Sequence, residues 1–163
     1  MRPDIYWIDG PWPGKLAILA RPRGEDWLED EVAGWKNAGV NVVVSLLTRG
    51  EDHELGLLEE RELVQRHGLT FISFPIPDYS VPTSNNEVQQ LVSELEQSLT
   101  GGGNVGIHCR QGIGRSSLVA ACVLVTSGES PNAAFQRITS ARGRSVPDTS
   151  EQRNWVAAFA NHS

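Results

Sequence analysis

The chain has 163 residues with 14 basic and 20 acidic side chains, and its net charge of −6 argues against nucleic acid or an anionic membrane surface as the main partner. Its length suits one domain, and 39% hydrophobic and 21% charged residues are typical of a soluble globular protein. We therefore expect residues 1–163 to form a single domain. The first eight residues are too polar for a signal peptide, no apolar run is long enough to span a membrane, and two cysteines are too few for a disulfide framework. These features predict a cytoplasmic protein.

The first half of the chain predicts strands alternating with helices. A strand over residues 15–20 is followed by an amphipathic helix with Trp35 on its apolar face. The β-branched run 41–47 predicts a strand buried on both faces. A single charged helix is expected over residues 53–67, and a further strand over residues 70–76.

The second half continues the alternation. Ser84 and Glu87 predict a capping box at the start of an amphipathic helix. Residues 105–108 are expected to form a strand, and the apolar run 116–125 predicts a helix buried in the centre of the domain. Two amphipathic helices complete the chain. The pattern predicts an α/β fold, with a central parallel-rich sheet covered by helices on both faces.

The most informative segment is His-Cys-Arg-Gln-Gly-Ile-Gly-Arg-Ser, residues 108–116, which joins a predicted strand to a predicted helix. Backbone amides of such a loop point at an anion, and the helix adds its positive end. A cysteine thiolate at Cys109 is stabilised in this setting. The planar guanidinium of Arg115 can donate two hydrogen bonds to two phosphate oxygens, which lysine cannot. Gly112 and Gly114 let the backbone turn its amides inward. The segment predicts a phosphate-binding loop with a sulfur nucleophile.

Three stretches carry a resemblance to a known family. The pattern Cys-x5-Arg-Ser from Cys109 resembles the signature of the cysteine-dependent protein tyrosine phosphatases, and most of all the small dual-specificity branch that includes the cyclin-dependent kinase-associated phosphatases. Residues 74–82 (the acid loop), Phe-Pro-Ile-Pro-Asp-Tyr-Ser-Val-Pro, resemble that branch's general-acid loop. Residues 43–48 and the acidic turn 51–57 resemble an earlier strand and turn of the same family. The resemblance implies a dual-specificity phosphatase-like fold.

The resemblance also implies an activity and a role for each site residue. The activity is hydrolysis of phosphotyrosine, and of phosphoserine or phosphothreonine, through a phosphocysteine, with no metal and no cofactor. Cys109 is the nucleophile, Arg115 clamps the phosphate, and Asp78 is the general acid that later acts as the base. Ser116 hydrogen-bonds the departing thiolate, and His108 orders the loop. Substrate-binding residues are Arg110, Gln111, Gly112, Ile113, Gly114 and Arg115.

Several assignments stay open from the sequence. Asp52 is the alternative general acid, because an aspartate in a proline-rich turn is usually a turn former. Gln152 either positions water or caps its helix together with Thr149, and we favour the cap. Cys122 is predicted to pack in the core, and the alternative is a reversible disulfide with Cys109.

Other functions also stay open. The alternatives are a phosphatase for a non-protein phosphate ester such as a phosphoinositide, a non-catalytic phosphate-binding module, and sulfur transfer as in rhodanese-like domains. The loop contains no lysine, which argues against phosphoinositides, and the Arg115-Ser116 ending argues against sulfur transfer. Low-molecular-weight tyrosine phosphatases have the acid downstream of the cysteine, whereas Asp78 lies 31 positions before Cys109. We expect a monomer that acts on a phosphorylated protein or peptide.

Overall fold

A five-stranded mixed sheet lies at the centre of the computed structural model, which describes residues 4–162. The strands are β1 (Ile5–Ile8), β2 (Leu16–Leu19), β3 (Val42–Ser45), β4 (Thr70–Ser73) and β5 (Val105–His108). Their spatial order is β1-β2-β5-β3-β4, with β1 antiparallel to β2 and every other neighbouring pair parallel. The parallel strands therefore end at one edge of the sheet, which is where ligands bind in folds of this kind.

Helices cover both faces of the sheet, as predicted. They are α1 (Leu28–Asn37), α2 (Arg49–Leu55), α3 (Glu60–Arg66), α4 (Asn85–Thr100), α5 (Arg115–Thr126), α6 (Pro131–Arg142) and α7 (Ser150–His162), with a short 3-10 helix at Glu25–Trp27. Successive strand side chains point to opposite faces. Val42 and Val44 thus pack in the larger core cluster with α4 to α7, and Val43 packs in the smaller one with α1 and α3. The predicted α/β architecture is confirmed.

Helix α5 is the centre of the larger core. Each of its residues from Arg115 to Val125 is buried, which explains why the sequence from Leu118 to Val125 is apolar all round. The helix packs against α4, α6 and α7. Its N-terminus is thereby held rigidly behind the loop that follows β5. In the described part of the chain, no helix is long and apolar enough to cross a membrane.

Two local predictions are wrong, and one strand was not predicted. The single helix expected over residues 53–67 is two helices, because Gly56 adopts a left-handed conformation with φ of +71° and ends α2. Strand β1 has no counterpart in the predicted elements, and only its pairing with β2 reveals it. Ser84 accepts a hydrogen bond from the Glu87 amide at 3.2 Å, but the return bond of a capping box is absent from the described residues. A complete capping box instead joins Thr48 to Glu51.

We expect Gly106→Ala to destabilise the sheet that supports the loop. Gly106 lies in β5 between Ala17 and Val43, and a Cβ there would meet side-chain carbons of Leu19 at 2.6–2.7 Å. Overpacking of this kind costs about 1–3 kcal/mol. Urea unfolding should show a lower midpoint with an unchanged slope. Gly50→Ala, at an exposed position in α2, is the control, and equal midpoints for Gly106→Ala and the wild type would contradict the expectation.

Candidate active site

The loop between β5 and α5 forms the floor of the site. Cys109 directly follows β5, is only 2% exposed, and its Sγ accepts a hydrogen bond from the Gly112 amide at 3.3 Å. That amide turns inward because Gly112 has φ of +70°, a conformation that favours glycine. Gly114 is needed for a different reason: the side chains of Asp148 and Gln152 occupy the space that a Cβ would fill. We call residues 109–115 the phosphate loop.

The guanidinium of Arg115 lies at the end of this loop and is almost fully buried, with 1% exposure. It forms a bidentate ion pair with Glu51, with Nη1 2.7 Å from Oε1 and Nη2 2.9 Å from Oε2. Nη1 also donates to the Ile76 carbonyl at 2.7 Å. The Nε atom is buried and has no hydrogen-bond partner among residues 4–162. The Glu51 pair therefore orients the guanidinium and leaves its Nε edge for another acceptor.

Electrostatic interactions around Arg115 favour the charged forms of both Arg115 and Glu51. Burial acts to lower the pKa of Arg115, but the hydrogen bond to Glu51 and the charges of Cys109, Glu51 and Asp78 outweigh it and raise this pKa above its ordinary value. Burial acts to raise the pKa of Glu51, yet the hydrogen bonds from Arg115 and Thr48 hold it below the usual range. The cation and its carboxylate thus stabilise each other despite burial.

Glu51 is a site residue that the sequence analysis did not assign. Its carboxylate accepts from the Thr48 amide at 3.0 Å, and the Thr48 hydroxyl accepts from the Glu51 amide at 3.3 Å. The Thr-x-x-Glu pattern could have marked this helix start from the sequence. Its ion pair with Arg115 could not, because 64 positions separate the two residues.

Asp78 lies beside the same guanidinium. Its Oδ1 is 3.0 Å from Arg115 Nη2 and accepts from the Tyr79 amide at 3.0 Å, and its side chain is 36% exposed. The structure therefore brings the predicted acid to the phosphate loop. Asp52, the alternative acid, lies in a different cluster with Glu60 and His108. Burial and repulsion from Glu60 raise the pKa of Asp52 to about 6.

His108 connects the loop to helices on the other face of the sheet. Its Nε2 lies 2.5 Å from Glu60 Oε2, and its ring stacks on Trp35 with 5.9 Å between centroids. The Nδ1 atom has no hydrogen-bond partner in the described part of the chain. His108 is thus held by α1 and α3. Glu60 is a second partner that the sequence analysis did not assign.

The remaining predicted site residues divide between floor and rim. Ser116 Oγ is buried and lacks a hydrogen-bond partner among the described residues, and the Ile113 side chain is also buried. At the rim, Gln111 is exposed. Arg110 Nη2 lies 3.0 Å from Glu54, and its Nη1 lies 3.8 Å from Glu51. The positive charge of Arg110 is therefore partly neutralised before any substrate is present.

An arginine from α6 supports the loop from behind. Arg142 donates from Nε to the Gly112 carbonyl and from Nη2 to the Gln111 carbonyl, both at 3.1 Å. Its guanidinium lies 4.2 Å from the centre of the Tyr6 ring, so β1 supports the loop through this contact. The sequence has no local signal for this role, because Tyr6 and Arg142 are far apart in the chain.

Gln152 caps α7, as favoured from the sequence, and also contacts the acid loop. Its Oε1 accepts from the Asp148 and Thr149 amides at 3.0 and 3.2 Å, and its own amide donates to Thr149 Oγ1 at 3.1 Å. Its Nε2 donates to the Ser80 carbonyl at 3.2 Å. One buried side chain thus joins the start of α7 to the loop that carries Asp78.

Both cysteines have free thiols. Burial raises the pKa of the Cys122 thiol well above its usual range, as expected for a side chain packed in the core. Among residues 4–162, no group of three His, Cys, Asp or Glu side chains could hold a metal ion. The donor set at the phosphate loop is cationic and amide-based, which suits an anion.

A buried cysteine whose Sγ accepts a hydrogen bond from a loop amide, next to a buried arginine at a helix N-terminus, is the arrangement predicted from the sequence for the class of cysteine-dependent phosphatases. A family model described as "Tc-R-P: Polymorphic toxin system, DSP-PTPase phosphatase" matches residues 18–129. The chain therefore belongs to the DSP-PTPase family, and the predicted resemblance is confirmed. The match includes the acid loop and the phosphate loop and ends before α6.

Particular relatives agree with this family. Cyclin-dependent kinase inhibitor 3 of Rattus norvegicus is 32% identical over 126 residues, and that of Homo sapiens is 30% identical over 126 residues. Each alignment covers 76% of this chain and 59% of the relative, so the chain spans less than two thirds of these proteins. Kinase associated phosphatase, with its catalytic-site cysteine replaced by serine, superposes with a TM-score of 0.90 at 24% identity, covering 99% of this chain and 96% of that chain. Tk-PTP in its active form has a TM-score of 0.80 at 25% identity, with both chains fully covered.

We expect Asp52→Asn to stabilise the fold increasingly as pH rises. Folding raises the pKa of Asp52 to about 6 from an ordinary value of 3.8. The contribution of Asp52 to the free energy of unfolding is therefore complete below pH 3.8 and is lost as pH rises through about 6. The variant cannot ionise, so its stability relative to the wild type should increase by about 1–2 kcal/mol between pH 4 and 7.5.

Urea unfolding at both pH values measures this difference. Asp30→Asn, on the exposed surface of α1, is the matched control. A stability difference between Asp52→Asn and wild type that is the same at both pH values would contradict the assignment.

Proposed function

We propose that this chain is a cysteine-dependent protein phosphatase that hydrolyses phosphotyrosine, and phosphoserine or phosphothreonine, through a phosphocysteine. The observation that carries the proposal is the buried Arg115 guanidinium, fixed by Glu51 beside the Cys109 loop with its Nε unpartnered. An unpartnered buried donor beside inward backbone amides suits a phosphate oxygen. The catalytic unit in this proposal is the whole chain, residues 1–163.

The first step begins when the phosphate of the substrate competes with Asp78 for hydrogen bonds from Arg115. A bound phosphate takes the Nε edge and the Nη2 hydrogen that Asp78 holds at 3.0 Å, and this exchange frees the Asp78 carboxyl group beside the ester. The Cys109 thiolate then attacks phosphorus. Once released from Arg115, the Asp78 carboxylate takes up a proton from solvent, and it gives this proton to the ester oxygen as the bond from phosphorus to that oxygen breaks. Arg115 stabilises the equatorial oxygens throughout, because Glu51 keeps its plane fixed.

The second step releases inorganic phosphate. Water attacks the phosphocysteine, the bond from sulfur to phosphorus breaks, and Cys109 leaves as a thiolate. The buried Ser116 hydroxyl, which has no partner in the described residues, donates a hydrogen bond to that sulfur. His108, held by Glu60 and Trp35, keeps the start of the loop in position. At the rim, Arg110 and Gln111 contact the substrate.

The substrate class follows from the family and the loop. Relatives named cyclin-dependent kinase inhibitor 3 and kinase associated phosphatase support a phosphorylated protein as the substrate. The phosphate loop contains no lysine, which disfavours highly charged inositol phosphates. We place the protein in the cytoplasm as a monomer, with neither nucleic acid nor membrane as a partner, because the thiolate needs a reducing compartment and the net charge is −6.

Cys109→Ser should abolish turnover of p-nitrophenyl phosphate and retain phosphopeptide binding, because a serine hydroxyl at this position is not ionised. The assay contains EDTA and a reductant, and binding is measured by calorimetry. Cys122→Ala, which removes the other thiol, is the control and should keep most of the activity. Turnover by Cys109→Ser, or none by the reduced wild type, would contradict the proposal.

Asp78→Asn should lower kcat/KM by about 10²–10⁴-fold, because general acid catalysis is lost. The loss should be largest for a poor leaving group such as phenol and smallest for p-nitrophenol, which needs little protonation. A series of aryl phosphates measures this dependence on the leaving group. An equal loss across the series would show that Asp78 acts only by holding Arg115.

A further inference from the structure

A second aspartate lies against the phosphate loop and has no role in the steps above. Asp148 immediately precedes the cap of α7, beyond the residues 18–129 that the family model matches. Its Oδ2 occupies part of the space that a Cβ on Gly114 would need. Because Gly114 directly precedes Arg115, this carboxylate lies at the edge of the amide cradle.

The position of Asp148 is fixed through its backbone, and its side chain is left available. Its amide donates to Gln152 Oε1 at 3.0 Å, and Gln152 Nε2 reaches the acid loop at the Ser80 carbonyl. In the described part of the chain, the Asp148 carboxylate makes no side-chain hydrogen bond. One glutamine thus bonds both the Asp148 amide and the loop that carries Asp78.

Charges around Asp148 favour a role as a proton acceptor. Burial and the negative charge of Asp78 raise the pKa of Asp148, and Arg115 and Arg144 act in the opposite direction. A carboxylate with a raised pKa is a stronger base. The first step of the proposed reaction leaves Asp78 without its proton, so its repulsion on Asp148 is strongest when water must be deprotonated.

The contacts of Asp78 are a further reason to assign the general acid of the first step and the general base of the second step to different residues. As a carboxylate, Asp78 accepts a hydrogen bond from the Tyr79 amide through Oδ1 at 3.0 Å. This hydrogen bond occupies one of its two oxygens. Asp148 has no comparable side-chain donor among residues 4–162, so its lone pairs are open to water.

We propose that Asp148 is the general base of the second step, an inference that rests on the proposed phosphatase function. A water molecule attacks phosphorus and gives one proton to the Asp148 carboxylate. The new bond joins the water oxygen to phosphorus, the bond from phosphorus to Cys109 Sγ breaks, and its electron pair returns to sulfur as thiolate. Asp148 then releases the proton to solvent. Asp78 serves as the acid of the first step only.

Asp148→Asn tests this inference, because only loss of the second step lowers kcat and KM together. We expect kcat for p-nitrophenyl phosphate to fall about 10²-fold, with kcat/KM within about threefold of wild type. Stopped-flow traces should show a burst of about one p-nitrophenol per enzyme, and acid quenching should trap the phosphocysteine. The fall of kcat at low pH, which follows protonation of Asp148, should flatten in the variant.

Two comparisons separate the outcomes. Asp78→Asn should lower kcat/KM without a burst, and Glu151→Gln, an exposed carboxylate on α7, should change neither constant. Thermal unfolding confirms that each variant is folded. An unchanged kcat in Asp148→Asn, or an equal loss in kcat and kcat/KM without trapped phosphocysteine, would overturn the role of Asp148 while leaving the phosphatase proposal intact. Wild-type turnover that does not need Cys109 would overturn the phosphatase proposal, and this inference with it.

Discussion

Arg115 carries a positive charge at a position where its side chain is almost completely buried, and the phosphate loop, α2 and the acid loop all meet around that charge. A buried cation is unfavourable unless it is paired and hydrogen-bonded. The bidentate pair with Glu51 and the carbonyl of Ile76 supply these contacts. Because the guanidinium is planar, they also fix the direction in which its remaining N–H groups point.

Carboxylates surround this single buried cation. Glu51 forms a bidentate pair with it, Asp78 lies at the Nη2 hydrogen that we assign to phosphate, and Asp148 lies against the adjacent Gly114. In the mechanism that we propose, a phosphate ester therefore competes with Asp78 for the arginine, and this competition couples substrate binding to the release of the acid. In the same proposed mechanism, these three carboxylates have different functions: Glu51 orients the guanidinium, Asp78 is the general acid and Asp148 is the general base.

The loops of the site are held from several directions by side chains outside the reaction. Arg142 fixes two carbonyls of the phosphate loop and stacks on Tyr6 of β1. Gln152 joins α7 to the acid loop. On the other face, Glu60 and Trp35 hold His108. Such support keeps catalytic groups within the small tolerances that phosphoryl transfer requires.

The sequence by itself determined the features that depend on neighbouring residues. Strand β5, the buried helix α5 and the phosphate loop between them follow from hydrophobic pattern and glycine placement within residues 105–126. The cap formed by Thr149 and Gln152 is equally local. The sequence alone therefore predicts a short loop that binds an anion and presents a thiol.

Only the tertiary structure decided which distant side chains meet at that loop. Glu51 reaches Arg115 across 64 positions, and Arg142 and Asp148 approach the loop from elements that follow it in the chain. The break between α2 and α3 depends on the left-handed conformation of Gly56, and β1 becomes a strand only by pairing with β2. No local pattern encodes these contacts, because each results from packing between elements that are far apart in sequence.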